Sequence, residues 1–291
     1  MVRGSQVRRA LIRSLVSEAS SEPTAVNTDI FAGLPGDADL LAAIYDLEHD
    51  AVSGDLGFYR RLVRRGRGPL LDLGCGSGRL FRAFLDGGAS TVHGIDGSPA
   101  LVHRAGLRIE ADERLGAAAA AGRLTVGLGD VRRPPKGRWR WITAVGVLPH
   151  LEGPEAALQM LTATAGRLPR EGRLVLDDIG PGGLPDHDLP LSVDWERDLD
   201  GRPVTRRSQV TRRETPDGLR VDYLTMTDAV RADGTIARLP ARFRLWYPSR
   251  SVLEGLLDEA GLAIELTYGS HDLEPLTEES DRRIVVAIRR R

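Results

Sequence analysis

The chain of 291 residues contains one cysteine and one lysine, and each scarcity excludes a kind of chemistry. Cys75 has no second cysteine with which to form an internal disulfide, so we expect the fold to be held by packing. Lys136, as the only lysine, disfavours a Schiff-base enzyme and a lysine-based phosphate clamp. The chain also lacks an apolar stretch of the roughly 20 residues that a membrane span needs, and its first residues lack the apolar core of a signal peptide.

The chain has no excess of either charge. Forty Lys and Arg residues stand against 41 Asp and Glu residues, which leaves a formal charge of -1. Such a balance gives no general attraction to nucleic acid or to anionic membranes. These absences together predict a cytoplasmic enzyme or binding protein without a nucleic-acid or membrane partner.

Residues 1–36 are predicted to form an N-terminal extension. Val7, Leu11 and Leu15 fall at helical spacing, with arginines between them. We expect this helix to dock on the body of the protein or on a second subunit of a homodimer, and a membrane or partner contact is the alternative. Residues 37–65 then read as helical, with a break at residues 53–54.

From residue 69 onward, short apolar runs alternate with helical patterns. The predicted strands cover residues 70–73, 92–95, 124–128, 141–147 and 174–177, and the predicted helices cover 79–85, 99–115 and 154–168. Nearly continuously apolar strands separated by helices are typical of a parallel sheet covered on both faces. We therefore predict a doubly wound α/β core over residues 37–180.

The alternation ends after Asp178. A loop rich in Gly, Pro and Asp leads to three segments with strand character, 204–212, 219–230 and 237–247, with turn residues between them. This pattern predicts an antiparallel β insertion over residues 181–249, acting as a lid for a substrate. Residues 250–291 then return to the core with a helix at 251–260 and strands at 263–268 and 283–289.

The first predicted strand runs into a glycine-rich stretch, LLDLGCGSGR, at residues 70–79. Glycines at 74, 76 and 78 allow a sharp turn and a close approach of the backbone to a ligand. The dinucleotide fingerprint needs a small residue where Arg79 stands. Asp72 would repel a pyrophosphate and suits a cationic ammonium or sulfonium group. A tight turn without a ligand is the alternative interpretation.

Two further acids follow predicted strands in register with this loop. Asp96 ends the second strand, 22 residues after Gly74, where a carboxylate accepts hydrogen bonds from both ribose hydroxyls. Asp130 follows the third strand and can meet the amino group of an adenine. The three acids together predict an adenosine-containing cofactor with a cationic part.

These motifs resemble those of the class I S-adenosylmethionine-dependent methyltransferases. The matching stretches are LDLGCGSG at 71–78, HGIDGS at 93–98, GDV at 129–131, TAVGVLPHL at 143–151 and GRLVLD at 172–177. The resemblance implies a Rossmann-like, mostly parallel, seven-stranded sheet that ends in a reversed strand. The family often has an acid before its fourth strand, where this chain has RWR at 138–140, so the role of that acid is not carried over.

The same resemblance implies a set of cofactor contacts. The loop of Gly74, Gly76 and Gly78 would pass under the methionine part of S-adenosylmethionine, and Asp72 would hold its amino group. Asp96 would bind the ribose and Asp130 the adenine amine, with Val131 packed on the ring. In similar small-molecule enzymes a tyrosine of an N-terminal helix closes over the cofactor, and Tyr45 is the candidate. Packing on the sheet edge is its alternative role.

The methyl acceptor is harder to read, because methyl transfer needs mainly positioning and the removal of a proton. His150 is the candidate base, with loop capping as the alternative. Asp177 and Asp178, at the end of the fifth predicted strand, could face an amine acceptor or orient a base, again with capping as the alternative, and Tyr223 could line the acceptor pocket. No metal site is predicted, because Gly146 and Val147 stand where metal-dependent O-methyltransferases place an acid.

The position of the β insertion resembles that in glycine and sarcosine N-methyltransferases and in amino-sugar N,N-dimethyltransferases. The resemblance implies a small metabolite as acceptor, with nitrogen favoured over oxygen and a role in secondary metabolism. A peptide or protein methyltransferase is one alternative. A protein that binds S-adenosylmethionine without transferring its methyl group is another.

Overall fold

Two β-sheets organise residues 37–290, the part of the chain that the computed structural model describes. The predicted extension over residues 1–36 lies outside the described residues. The helices are α1 (Ala38–His49), α2 (Leu56–Arg64), α3 (Phe81–Asp86), α4 (Pro99–Ala111), α5 (Glu113–Ala120), α6 (Pro154–Ala165) and α7 (Arg250–Glu259). The strands of the larger sheet are β1 (Gly68–Leu73), β2 (Ala89–Asp96), β3 (Leu124–Leu128), β4 (Trp141–Val145), β5 (Arg173–Ile179), β10 (Leu262–Tyr268) and β11 (Arg282–Arg289). Those of the smaller sheet are β6 (Leu189–Leu199), β7 (Arg202–Thr215), β8 (Gly218–Val230) and β9 (Ile236–Pro248).

The larger sheet has seven strands in the order β10-β11-β5-β4-β1-β2-β3. Strands β1 to β5 pair in parallel, whereas β11 runs antiparallel to both β5 and β10. The predicted doubly wound sheet with a reversed C-terminal strand is therefore confirmed. The strand order reverses between β1 and β4, and the carboxyl ends of the strands at such a point form a crevice where ligands bind.

Two predicted boundaries in the core were wrong for local reasons. Strand β4 ends at Val145 because Gly146 adopts a left-handed φ of 68° and the chain enters a short turn of 3-10 helix, Leu148–His150. The single helix predicted over residues 99–115 is two helices. Asp112 has an extended backbone, and its carboxylate accepts hydrogen bonds from the first amides of α5, so a new helix begins there.

The smaller sheet is a four-stranded antiparallel meander in the order β6-β7-β8-β9. Three of its strands follow the predicted segments closely. Strand β6 was not predicted, because Pro190 and the charged residues of its sequence LPLSVDWERDL resemble a loop. It is an edge strand that pairs only with β7, and edge strands tolerate both features.

The first two helices pack on different layers. In α1, Leu41 and Ile44 pack with Leu101 of α4 and with Val204 and Leu239 of the smaller sheet. Helix α2 instead packs on the larger sheet through an apolar cluster that includes Phe58, Leu62, Phe84 and Val175. The α1–α2 connection therefore crosses the carboxyl edge of the larger sheet. No helix within residues 37–290 is long and apolar enough to cross a membrane.

Candidate active site

The glycine loop follows β1 as predicted and turns sharply. Gly74, Gly76 and Gly78 all adopt positive φ angles, of 65°, 56° and 77°. The loop is fixed to β2 because the amide of Cys75 donates to the carbonyl of Ile95 at 3.0 Å. A Cβ atom on Gly76 would lie 2.5 Å from the hydroxyl of Tyr45, so this glycine is needed for the close approach of α1 as well as for the turn.

Asp72 lies near the end of β1 with its side chain buried against β4. The hydroxyl of Thr143 donates to its Oδ1 at 2.6 Å. Burial raises the pKa of Asp72 to about 7, and the hydrogen bond from Thr143 opposes that shift. A cation placed beside this carboxyl group would stabilise its ionised form. This agrees with the prediction that Asp72 lies beside a cationic part of the ligand.

Asp96 lies at the end of β2, as predicted. Its Oδ2 accepts the amide of Gly76 at 2.8 Å and its Oδ1 accepts the amide of Ser98 at 2.9 Å. Each carboxylate oxygen has a second lone pair, so this carboxylate can also accept hydrogen bonds from a ligand. Asp96 is thus oriented by the glycine loop on one side and by the N-terminus of α4 on the other.

Asp130 follows β3 and forms an ion pair with Arg132. The guanidinium donates to both carboxylate oxygens, at 3.0 and 2.7 Å, and the Arg132 amide donates to Oδ1 at 2.9 Å. Burial opposes ionisation, but these hydrogen bonds hold the pKa of Asp130 below its ordinary value. The neighbouring Val131 packs against the apolar core under the larger sheet. Asp130 is therefore ionised near neutral pH beside an apolar side chain.

A cavity of about 650 Å³ opens at this carboxyl edge. Asp72, Gly74 and Gly146 line its floor, and Tyr45 and His49 of α1 line another side. The rings of Tyr45 and His49 stack, with their centroids 3.9 Å apart. The structure thus brings Tyr45, Asp72 and the start of the glycine loop to one cavity, of a size typical of small-molecule sites.

Arg79, the large residue that follows the last glycine, binds the connection between α1 and α2. Its guanidinium donates to both carboxylate oxygens of Asp55 and to the carbonyl of Val52. Both acceptors belong to the α1–α2 connection, and both line the cavity. Arg79 therefore ties this connection to the glycine loop.

A cluster around Asp177 forms a further wall of the cavity, and the sequence did not predict its members His271 and Arg282. Asp177 accepts hydrogen bonds from Arg282, from the hydroxyl of buried Tyr59 and, at 2.7 Å, from Nε2 of His271. Burial would raise the pKa of Asp177, but Arg282 and His271 hold it well below its ordinary value. His271 and Arg282 both line the cavity, and only their spatial proximity reveals the cluster.

Asp178 lies on the opposite face of β5 from Asp177, because side chains alternate along a strand. It is fully buried beside Arg283, its partner in the β5–β11 register. Within residues 37–290, neither carboxylate oxygen of Asp178 has a hydrogen-bond partner, and the same holds for the hydroxyl of Tyr247. Burial raises the pKa of Asp178 to about 7. Asp178 is not among the residues that line the cavity.

The two other predicted catalytic residues also lie away from the cavity lining. His150 ends the 3-10 turn after β4 and is half-buried. Tyr223 is buried in the smaller sheet, with its ring centroid 6.0 Å from the guanidinium carbon of Arg206. Arg206 in turn bonds Glu48 of α1 at 2.8 Å. The roles given to His150, Asp178 and Tyr223 stay predictions.

The residues around the cavity suit the cofactor that the sequence resemblance implies. The loop glycines leave bare backbone at the cavity floor, where a Cβ on Gly74 would lie 2.5 Å from Val147. The buried carboxyl group of Asp72 would be stabilised in its ionised form by a cation, and Asp96 is held at the end of the neighbouring strand by the amide of Gly76. Within residues 37–290, no group of three or more His, Cys, Asp or Glu side chains is arranged to hold a metal ion.

Comparison with known proteins gives a family match and several structural matches. A family model described as a methyltransferase domain matches residues 55–267, more than half of the chain. The sugar N-methyltransferase KedS8 from a Streptoalloteichus species is 21% identical, with a TM-score of 0.65 over 85% of this chain and 93% of that one. CalS10 from Micromonospora echinaspora, an amino pentose methyltransferase involved in calicheamicin biosynthesis and solved with S-adenosylmethionine bound, is 20% identical. Its TM-score is 0.61, over 84% of this chain and 96% of its own.

A third structure is an S-adenosylmethionine-dependent methyltransferase from Clostridium acetobutylicum. It is 14% identical, with a TM-score of 0.68 over 87% of this chain and 99% of that one. At such identities the structural matches show a shared fold. No curated protein matches the chain.

Proposed function

The chain belongs to the methyltransferase-domain family. We propose that it uses S-adenosylmethionine as its cofactor to methylate a nitrogen atom of a small molecule. The observation that carries the proposal is the cavity at the carboxyl edge, which reaches from Asp72 and the glycine loop to acids at its rim. Its volume of about 650 Å³ suits a small molecule, whereas a peptide or protein acceptor needs an open groove.

The rim of the cavity favours a cationic acceptor. Asp272 and Asp281 are exposed there, and neither side chain forms an ion pair with any residue of the 37–290 range. Two such carboxylates attract an ammonium group and repel an anionic substrate. This charge supports an amine as acceptor over a phenolate or a carboxylate.

The cofactor supplies an electrophilic methyl group on a sulfonium, and the protein supplies binding and orientation. We assign the ammonium end of the cofactor to Asp72, the ribose to Asp96 and the adenine amine to Asp130, with Val131 against the ring. Tyr45 closes the cavity over the glycine loop. Since methyl transfer is an in-line displacement, holding the acceptor nitrogen opposite the sulfur is the main catalytic task.

The smaller sheet is proposed to act as the lid on the acceptor side. Residues 181–249 would form this lid, and residues 37–180 with 250–291 would form the cofactor-binding core. Tyr223 belongs to this lid and Asp178 to β5 of the core, and the buried carboxylate of Asp178 lacks hydrogen-bond partners within residues 37–290. Such a group is costly unless a ligand or water satisfies it. Because neither residue lines the cavity, we propose that Asp178 and Tyr223 influence the orientation of the amine indirectly, through the packing of the lid.

Resemblance to sugar methyltransferases supports a narrower class of acceptor. Two of the structural matches are a sugar N-methyltransferase and an amino pentose methyltransferase. We propose an amino sugar or a similar hydroxylated amine as acceptor, with a role in secondary metabolism.

The proposal is tested with methyl-labelled S-adenosylmethionine and a panel of acceptors. The panel contains nucleotide-linked amino sugars, free amino sugars, glycine and sarcosine, with the matching hydroxyl sugars as controls. We expect label in an amino compound and none in its hydroxyl counterpart, with the product identified by mass. Label in the hydroxyl sugars would contradict nitrogen methylation, and label only in added peptides would contradict a small acceptor.

The same assay tests the base predicted from the sequence. His150→Ala should lower turnover more than it lowers cofactor affinity, because a base acts on the acceptor. Equal turnover in the native protein and in His150→Ala would show that His150 is not the base.

A further inference from the structure

The loop between β10 and β11 brings a histidine into the cavity far from the predicted motifs. His271 lines the cavity together with Gly146 and Asp72, and about 20% of its side chain is exposed. Its Nε2 lies 2.7 Å from Oδ2 of Asp177. The two residues form a histidine–carboxylate pair that faces the same space as the glycine loop.

The surroundings of Asp177 determine which ring nitrogen of His271 carries the proton. Asp177 is an ionised carboxylate inside the fold, because Arg282 donates to it at 2.5 and 2.9 Å. A carboxylate can only accept, so Nε2 of His271 must be the donor. With this proton on Nε2, the neutral form of the His271 ring carries its lone pair on Nδ1. That nitrogen bonds no other residue of the 37–290 range.

The position of the ring is fixed from several sides. Its centroid lies 5.4 Å from that of Phe58 and 5.9 Å from that of Tyr59. The carbonyl of His271 accepts a hydrogen bond from Arg61 at 3.3 Å. The turn itself closes at Leu273, which adopts a left-handed φ of 68°, unusual for a residue other than glycine. Such support is typical of a side chain that must be held in one orientation.

We propose that His271 is a second proton-accepting residue of this enzyme, acting on the amine acceptor, with Asp177 as its positioning residue. The inference rests on the proposed function. The lone pair of the acceptor nitrogen forms the bond to the methyl carbon, and the carbon–sulfur bond breaks with its electron pair going to sulfur. An acceptor bound as an ammonium first gives one proton to Nδ1 of His271, which frees this lone pair, and the resulting imidazolium is stabilised by Asp177. No oxidant, reductant or metal is needed for this balance.

The first test is the tautomer of His271, which needs no acceptor. Ring nitrogen NMR on the full chain with S-adenosylhomocysteine bound, assigned against a His271→Gln variant, should show that the neutral ring carries its proton on Nε2. A ring protonated at Nδ1 has no lone pair toward the cavity and would overturn the proposal.

The second test is turnover of the His271→Gln variant with the acceptor identified by the labelled panel. The glutamine amide can still donate to Asp177, but it cannot accept a proton. We expect kcat to fall about 10²- to 10⁴-fold, with near-native affinity for S-adenosylhomocysteine. The matched control is His103→Gln on α4, an exposed histidine outside the cavity, which should leave kcat unchanged.

Two further readouts separate proton transfer from a merely structural role. Added imidazole should restore part of the lost activity of His271→Ala and should leave the native activity of His103→Ala unchanged. The acid limb of the pH–rate profile should also change in the His271 variant, where the charged or titratable neighbours are Asp177, Arg282, Tyr59, Asp272 and Arg61. Native kcat in His271→Gln would overturn the proposal. If the panel yields no methylated amine, the proposed function fails. The tautomer measurement would still show whether Nδ1 of His271 carries a lone pair.

Discussion

Arg79 and Asp55 form a two-pronged ion pair across the candidate active site. Nη1 of Arg79 lies 2.9 Å from Oδ1 of Asp55, and its Nη2 lies 2.5 Å from Oδ2. Their side chains are only 17% and 5% exposed. The pair joins the end of the glycine loop to the connection between α1 and α2, so the residue that breaks the dinucleotide fingerprint has a structural task of its own.

Arg79→Ala should therefore lower both stability and cofactor affinity. The substitution leaves the buried carboxylate of Asp55 without its cation, which costs about 3 kcal/mol in the free energy of unfolding. It also removes the hydrogen bonds that tie the α1–α2 connection to the glycine loop beside the cavity. Urea unfolding measures the first effect, and calorimetry with S-adenosylhomocysteine measures the second.

The control for Arg79 is Arg250→Ala. Arg250 pairs with Glu254 on the exposed surface of α7, and such pairs are worth about 0.3–0.5 kcal/mol. Equal losses of unfolding free energy in the two variants would show that the buried Arg79–Asp55 pair contributes no more to stability than an exposed pair.

Gly76→Ala should destabilise the loop for two separate reasons. The left-handed φ of 56° costs an alanine about 1–2 kcal/mol, and its Cβ would lie 2.5 Å from the hydroxyl of Tyr45. We expect lower stability and weaker binding of S-adenosylhomocysteine. Combining the change with Tyr45→Phe removes the closest contact, so the double variant should lose less than the sum of the two single variants.

Gly255→Ala is the matched control for this glycine. Gly255 lies inside α7, and a Cβ there meets nothing within 4 Å. Since alanine is the better helix former, this variant should be more stable by about 1 kcal/mol. A loss of stability at Gly255 and none at Gly76 would contradict the explanation.

The sequence predicted those parts of the fold and site that depend on short-range patterns. Strands β1 to β5 are apolar runs set apart by helices, and their order along the chain fixes a parallel sheet. Asp72 was predicted as a site residue because it lies just before the glycine loop, and Asp96 because it follows a predicted strand, since parallel strands carry their carboxyl ends to one edge.

The parts that sequence reasoning missed depend on contacts between distant residues. His271 meets Asp177 across 94 positions of the chain, in a loop without periodicity. The position of Asp178 was not predictable either, because adjacent residues of β5 face opposite sides of the sheet, and only the packing decides which side holds the cavity. Strand β6 was missed because an edge strand can be polar and can contain Pro190.

Asp96→Ala should weaken cofactor binding more than it lowers stability. The substitution removes the acceptor proposed for the ribose hydroxyls, and it also frees the amides of Gly76 and Ser98. Hydrogen bonds to a charged group are worth about 2 kcal/mol, which corresponds to roughly a 30-fold loss of affinity for S-adenosylhomocysteine. Calorimetry on the folded variant provides the measurement.

Asp112→Ala is the control for Asp96. Asp112 also accepts two backbone amides at a helix N-terminus, but it pairs with Arg82 at the surface, whereas Asp96 bonds the glycine loop. Loss of this cap should cost about 1 kcal/mol of stability without changing cofactor affinity. Unchanged affinity in Asp96→Ala would refute the adenosine-pocket assignment.

The buried acids give the protein a stability that depends on pH. Burial raises the pKa values of Glu48, Asp72 and Asp178 to about 7 from ordinary values of 4.5, 3.8 and 3.8. Between about pH 4 and about pH 7 the folded chain binds more protons at these sites than the unfolded chain does. The free energy of unfolding contributed by these groups therefore falls as the pH rises through this window, and it changes little above it.

Asp72→Asn tests this dependence and links it to cofactor binding. Asparagine has no proton to lose, so the variant should show a smaller fall in urea midpoint between about pH 5 and about pH 8. In the native protein, ionisation of Asp72 near pH 7 favours the cationic amino group of S-adenosylhomocysteine, so affinity should rise with pH over the same range. That rise should be absent or much smaller in Asp72→Asn. An equal rise in both proteins would show that another group senses the pH, and Asp72 would then lose its assigned role as the acceptor of the cofactor's ammonium group.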